Sequence, residues 1–212
     1  MKADKQEANN MSYDKELIAH KLHRWDHYIT EYHLPEWDAI PNFGLYMDQV
    51  VSLLEEYLSF IPCDEKNKFV TASTINNYVR LKIMPAPIKR KYYRTHIAYL
   101  IFILVLKQTL SINDVQKLVP LDLSEEQVRD IYGNYSEKFR RLALFFNQQV
   151  QSAANDILSP GSDSEGAVER LLLESTLISG FSRILAEKLL NLSDANTEEV
   201  LASENNKKTP VS

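Results

Sequence analysis

The sequence predicts an all-α protein with a small β-wing, followed by long carboxy-terminal helices, on three observations. Apolar residues recur three and four positions apart through most of the chain, the spacing that gathers them on one side of a helix. A single short stretch, Ile88 to Tyr93, mixes basic and aromatic residues in the manner of a small hairpin, although it holds no Asn-Gly or Asp-Gly turn. From Val128 onward the apolar positions repeat every eleven residues, as along a long, nearly straight helix.

The elements follow in order. Residues 1–12 are polar and expected to be disordered, as is the tail 193–212, which carries few bulky apolar side chains. Leu17, Ile18, Leu22, Trp25, Tyr28, Ile29 and Tyr32 share one side of an amino-terminal helix within 13–34, stopped by Pro35. Met47, Val50, Val51, Leu54, Tyr57 and Leu58 mark a second helix closed by Pro62. Thr71 to Ile83 is a short helix with an inner face of Ile75, Tyr78, Val79 and Ile83 and an outer face of Ser73, Asn76, Asn77 and Arg80, ended by Pro85 and Pro87. Thr95 is placed to cap a helix through the apolar block to about Thr109, and Ser111 with Asp114 opens another that ends at Val119 before Pro120. Ser124 with Gln127 opens a helix over 125–158, whose stripe is Val128, Ile131, Tyr135, Phe139, Leu142, Phe146, Val150, Ala153 and Ile157. Gly133 and Asn134 are its weak point. After a linker at 159–166, Leu171, Ile178, Leu185 and Leu192 recur every seven residues on a final helix.

Composition excludes several function classes. With 44% hydrophobic residues in 212, the chain can build a core without staples. Its single cysteine, Cys63, rules out an internal disulfide and a multi-cysteine zinc site. Five glycines leave no phosphate-cradling motif, since the cluster from Gly161 to Gly166 carries no lysine. The amino terminus has no signal-like apolar stretch, and the longest apolar run, Ile97 to Leu106, is shorter than the roughly 20 residues that span a bilayer. A cytoplasmic protein away from the membrane is therefore expected. No serine or cysteine stands in a nucleophile motif, and Glu55 with Glu56 or Glu125 with Glu126 read as helix surface, so neither a catalytic residue nor a cofactor is expected. His20, His23 and His27 lie on one side of the first helix, at a spacing that suits a shared metal with Asp26 or Glu31. They read as exposed histidines, and no metal is expected.

Charge is unevenly distributed. The net charge is −5, yet from Lys66 to Leu110 there is no acid and there are nine bases, which leaves 15 bases against 29 acids elsewhere. Such a segment points to an anion-binding face or, on a second view, to a basic face answered by acidic neighbours after folding. Within it, Ser73, Thr74, Asn76, Asn77 and Arg80 are residue types suited to a recognition helix; asparagine pairs bidentately with adenine and arginine with guanine. Lys82, Lys89, Arg90, Lys91, Tyr93 and Arg94 would grip phosphates and fix register.

Residues 73–119 resemble the winged helix-turn-helix of the MerR transcription regulators. Thr74, Ile75, Tyr78, Arg80, Ile83, Met84 and Pro85 fit the family's helix and its exit, and Ser111, Ile112, Asp114 and Val115 fit its last helix. Arg90 and Tyr92 satisfy the wing's Arg-x-Tyr, with Lys91 and Tyr93 one position on. The chain departs from the pattern at Asn76 and Asn77, where the family has arginine and tyrosine, and at Lys82, where it has glycine. A longer stretch, about 35–150, is similar to an uncharacterised bacterial family, YkrK-like, which supplies a fold analogy and no activity. The MerR resemblance implies a winged helix-turn-helix domain over 35–120 and binding that deforms promoter DNA. The expected protein is a sequence-specific binder of double-stranded DNA, a homodimer through a helical region at 121–192. The alternative is a helical protein-interaction module that keeps the fold without DNA affinity.

Overall fold

The computed structural model describes residues 13–63, 68–159 and 166–193. The expected disorder of 1–12 and of the tail beyond 193, the linker residues 160–165, and Lys66 of the basic stretch lie outside the described residues. Eight α-helices form among those described: α1 (Lys15–Glu31), α2 (Met47–Tyr57), α3 (Ala72–Arg80), α4 (Arg94–Leu106), α5 (Ile112–Leu118), α6 (Glu125–Ala153), α7 (Asn155–Leu158) and α8 (Ala167–Asn191), with a 3-10 turn at Trp37–Ala39. The all-α class is as the sequence predicts. The small β-wing is not: no strand forms among the described residues, and pairing is confined to two isolated antiparallel bridges, Leu45 with Tyr92 and Ile88 with Lys91. No described helix is long and apolar enough to cross a membrane.

Local chemistry explains the helix starts. Asp14 accepts the Leu17 N–H at 3.1 Å and Thr71 accepts the Thr74 N–H at 3.1 Å, each satisfying a donor left over in the first turn. The Ser124–Gln127 box closes in both directions, at 2.9 and 3.2 Å, and Ser111 accepts the Asp114 N–H at 3.2 Å. Thr95 does not cap its helix; Tyr93 stands at the cap position and its N–H donates to His96 Nδ1 at 3.1 Å.

The chain divides into two compact units, one holding residues up to Leu34 with Tyr135–Leu177, the other Pro35–Asn134 with residues from Ile178. In the first, α1 carries Ile18, Ala19 and Leu22 against a buried cluster of Ala154, Ile157 and Ala167. Further along α1, Trp25 meets Phe146 edge to face and Asp26 and Thr30 accept from the buried Asn147 amide, and at the cap just past its end Tyr32 meets Phe139. The second unit is built around α4, in which every residue from His96 to Leu104 is buried. Val50 and Leu54 of α2, Ile75 and Tyr78 of α3 and Val115 of α5 are buried in the same unit. The Tyr132 ring meets Phe102 and Trp37, and its hydroxyl donates to the Pro35 carbonyl at 2.7 Å.

The eleven-residue stripe of α6 needs correction. Val128, Val150 and Ile157 are buried and Tyr135 and Phe139 half-buried, but Ile131, Leu142, Phe146 and Ala153 are exposed. The buried line passes instead through Tyr132, Asn147 and Ala154. A hydrophobicity count misses these because a hydroxyl, an amide and a methyl hold the positions, two of them through specific hydrogen bonds. The helix is uninterrupted at Gly133, where an added Cβ would meet nothing within 4 Å, and it breaks only at Ala154.

Candidate nucleic-acid interface

The expected recognition helix is α3, one turn shorter than predicted. Ile75 and Tyr78 are buried; burial pushes the Tyr78 phenol up to about 12. Ser73, Asn76 and Arg80 are exposed. Asn77 is half-buried and its Oδ1 accepts from Arg80 Nη2 at 2.7 Å, so it orients the arginine. Thr74 is also half-buried, with its hydroxyl 2.9 Å from that of the cap residue Thr71.

The helix ends in a Schellman motif. The Ile83 N–H donates to the Tyr78 carbonyl at 3.0 Å and the Lys82 N–H to the Val79 carbonyl at 3.1 Å. This geometry places Lys82 at φ +53°, a position that normally favours glycine, and it is the position at which the resembled family has glycine. Ile83 and Met84 then enter the core while Lys82 remains exposed.

The chain next makes a two-residue turn. Ile88 and Lys91 exchange backbone hydrogen bonds at 3.0 and 2.9 Å, with Lys89 at φ +47° and Arg90 at φ +64° on the exposed tip. Positive φ at both central residues is the type I′ pattern, usually filled by Asn-Gly. The turn is anchored from behind. Tyr92 is buried and exchanges backbone hydrogen bonds with Leu45 at 2.8 and 2.9 Å. His96 is buried and lies 3.0 Å through Nε2 from the Ala86 carbonyl. Because its Nδ1 accepts the Tyr93 N–H, the ring is satisfied as the neutral tautomer with Nε2 donating; burial lowers its pKa against the opposing pull of the Ala86 carbonyl.

Lys91 and Tyr93 are half-buried against Gly44, where an added Cβ would lie 2.8 Å from Lys91 Cδ and 3.0 Å from Tyr93 Cζ. The Lys91 ammonium sits 5.2 Å from the centroid of the exposed Tyr46 ring.

Arg94 departs from the expected role. Its guanidinium donates to the Ile40 carbonyl at 2.8 Å and to Asp38, lies over the Trp37 ring, and its side chain is 15% exposed. That group holds the 36–40 segment to the start of α4. The sequence signal was present in the acids Glu36 and Asp38 on either side of Trp37, but pairing across 56 positions cannot be read from spacing. Lys68 is likewise answered, by Glu55 at 3.2 Å. By contrast, Arg80, Lys82, Lys89, Arg90 and Lys91 form no ion pair among the described residues.

His20, His23 and His27 are exposed on α1, with His27 Nδ1 3.5 Å from Glu31. Among the described residues no group of three or more His, Cys, Asp or Glu side chains is arranged to hold a metal ion.

No curated protein and no solved structure matches the chain. Residues 35–137, just under half of the chain and including α2 to α5 with the whole of this basic face, match the family model of a domain of unknown function, DUF1836.

Proposed function

We propose that residues 35–134 bind double-stranded DNA at specific sequences, as a transcriptional regulator. In this reading α3 offers Ser73, Asn76 and Arg80 to base edges, and Lys82, Lys89, Arg90 and Lys91 hold phosphates. The observation that carries it is charge held in strained places. A left-handed conformation costs a residue other than glycine about 1 kcal/mol or more. Lys82, Lys89 and Arg90 adopt it on the surface, and no carboxylate among the described residues answers them. A basic face balanced within the fold would pair these groups, whereas the acids nearby take Lys68 and Arg94.

The order of parts supports the same reading. A residue paired to the turn, then α2, α3, the basic turn and α4 is the order of a winged helix-turn-helix, as the resemblance to MerR regulators implies. Lys91 over Tyr46 adds an aromatic support that keeps one cation extended.

Retention of fragmented genomic DNA on the tagged protein at low and high salt tests the proposal. A small set of fragments should persist when salt is raised, after bulk DNA is lost. Retention of no DNA at either salt, or loss of all fragments together, contradicts it.

A further inference from the structure

The final helix turns its apolar side outward. Leu173, Leu177, Ile178, Phe181, Ile184, Leu185 and Leu189 are 45–68% exposed. At about 100° per residue they fall within an arc of roughly 160°, which also contains the exposed Glu174 and Lys188. Neither of these two charges has an ion-pair partner among the described residues; the ion pair within α8, Arg183 with Glu187 at 3.5 Å, lies on the other side. A contiguous apolar band on this scale marks an interaction surface.

The order of residues along the band identifies its partner. Read outward from Phe181 in both directions, Ile178 answers Ile184, Leu177 answers Leu185, Glu174 answers Lys188 and Leu173 answers Leu189. We infer that α8 pairs antiparallel with α8 of a second copy of this chain, about a two-fold axis at Phe181. That pairing sets apolar residues against apolar residues at Phe181 and at the three apolar pairs named, and each Glu174 against the partner's Lys188, twice by symmetry. A parallel pair would instead set Glu174 against Glu174 and Lys188 against Lys188. An unrelated helix would give no reason for the two halves of the band to mirror each other, with charge reversed. α8 is one uninterrupted helix, so its geometry alone sets the register. The inference is independent of DNA binding, and its readout needs no DNA.

The experiment is sedimentation equilibrium of the full chain with charge-exchanged variants. The wild type sediments at twice the 24.5 kDa of the chain at micromolar concentration. Glu174→Lys and Lys188→Glu each turn two attractions into two repulsions and raise the dissociation constant about tenfold. Mixing the two single variants in equal amounts restores the wild-type constant, because each chain then meets its opposite; the double variant restores it as well. Both positions are exposed, so folding is checked simply by unchanged helicity. As a second measurement, Phe181→Cys in a Cys63→Ser background oxidises to a disulfide dimer, whereas Leu189→Cys does not, since its two copies lie roughly 24 Å apart along the helices. A monomeric wild type at tens of micromolar overturns the inference, as does failure of the mixture to recover or self-linking of Leu189→Cys.

Discussion

At the scale of single residues, the basic face is defined by backbone conformation as much as by charge. Lys82 occupies the left-handed cap of α3, where glycine is favoured. Lys82→Gly is therefore expected to stabilise the fold by about 0.5–1 kcal/mol, a rise of roughly 1–4 °C in Tm, while weakening DNA binding. Thermal melts and DNA titration of the same variant check both signs; a loss of stability would mean that the Lys82 side chain has a packing role. Reading separates from gripping at Asn76. Its side chain is exposed, so Asn76→Ala is expected to cost about 1–3 kcal/mol at a specific site and little on random duplex. Asn77→Ala acts differently because its carbonyl holds Arg80, and its loss should resemble part of the loss from Arg80→Ala. Competition titrations against specific and random DNA distinguish these cases, and equal losses on both for Asn76→Ala would make α3 a scaffold.

Among the elements, the turn at 88–91 depends on one buried ring. Neutral His96 ties Ala86 before the turn to Tyr93 after it, and burial lowers its pKa. Above about pH 6.5 the ring is neutral in both folded and unfolded chains, so its contribution is constant. As pH falls below that value the unfolded chain takes up a proton that the folded chain resists. Stability then falls with pH, by at most about 1.4 kcal/mol per unit, until the folded ring itself titrates. Urea melts between pH 7.5 and 5 are expected to show this decline in the wild type and a flatter profile in His96→Gln. The elements also show what a sequence can reveal. The helix starts at Ser111 and Ser124 were legible because these serines act on donors three residues away, whereas the cap at Thr71 was read as the first residue of its helix. Most of the buried faces of α2 and α3 were legible from periodicity. The line along α6 was not, because Tyr132 and Asn147 are buried for their long-range hydrogen bonds to Pro35, Asp26 and Thr30. The turn of Lys89 and Arg90 was foreseen only weakly, since its residues are poor matches to the conformation they adopt.

At the scale of the whole molecule, an acidic chain places nine of its 24 lysines and arginines in one segment that holds no acid. The sequence made the asymmetry legible through the acid-free stretch to Leu110. It could not say which cations the fold consumes, and the structure removes Lys68 and Arg94 from that set. The outward band of α8 was half-legible: Ile178 and Leu185 were recognisable within a seven-residue repeat, but both are exposed. Periodicity identifies an apolar face without saying whether the same chain covers it. The central claim is that Lys82, Lys89, Arg90 and Lys91 contact DNA phosphates, and the most direct measurement is duplex affinity as a function of salt for the wild type and for Lys89→Ala/Arg90→Ala/Lys91→Ala. Each phosphate contact contributes about −0.9 to the slope of log affinity against log salt, so the variant's slope is predicted to be shallower by about 2–3 units. A slope unchanged from the wild type would contradict the claim.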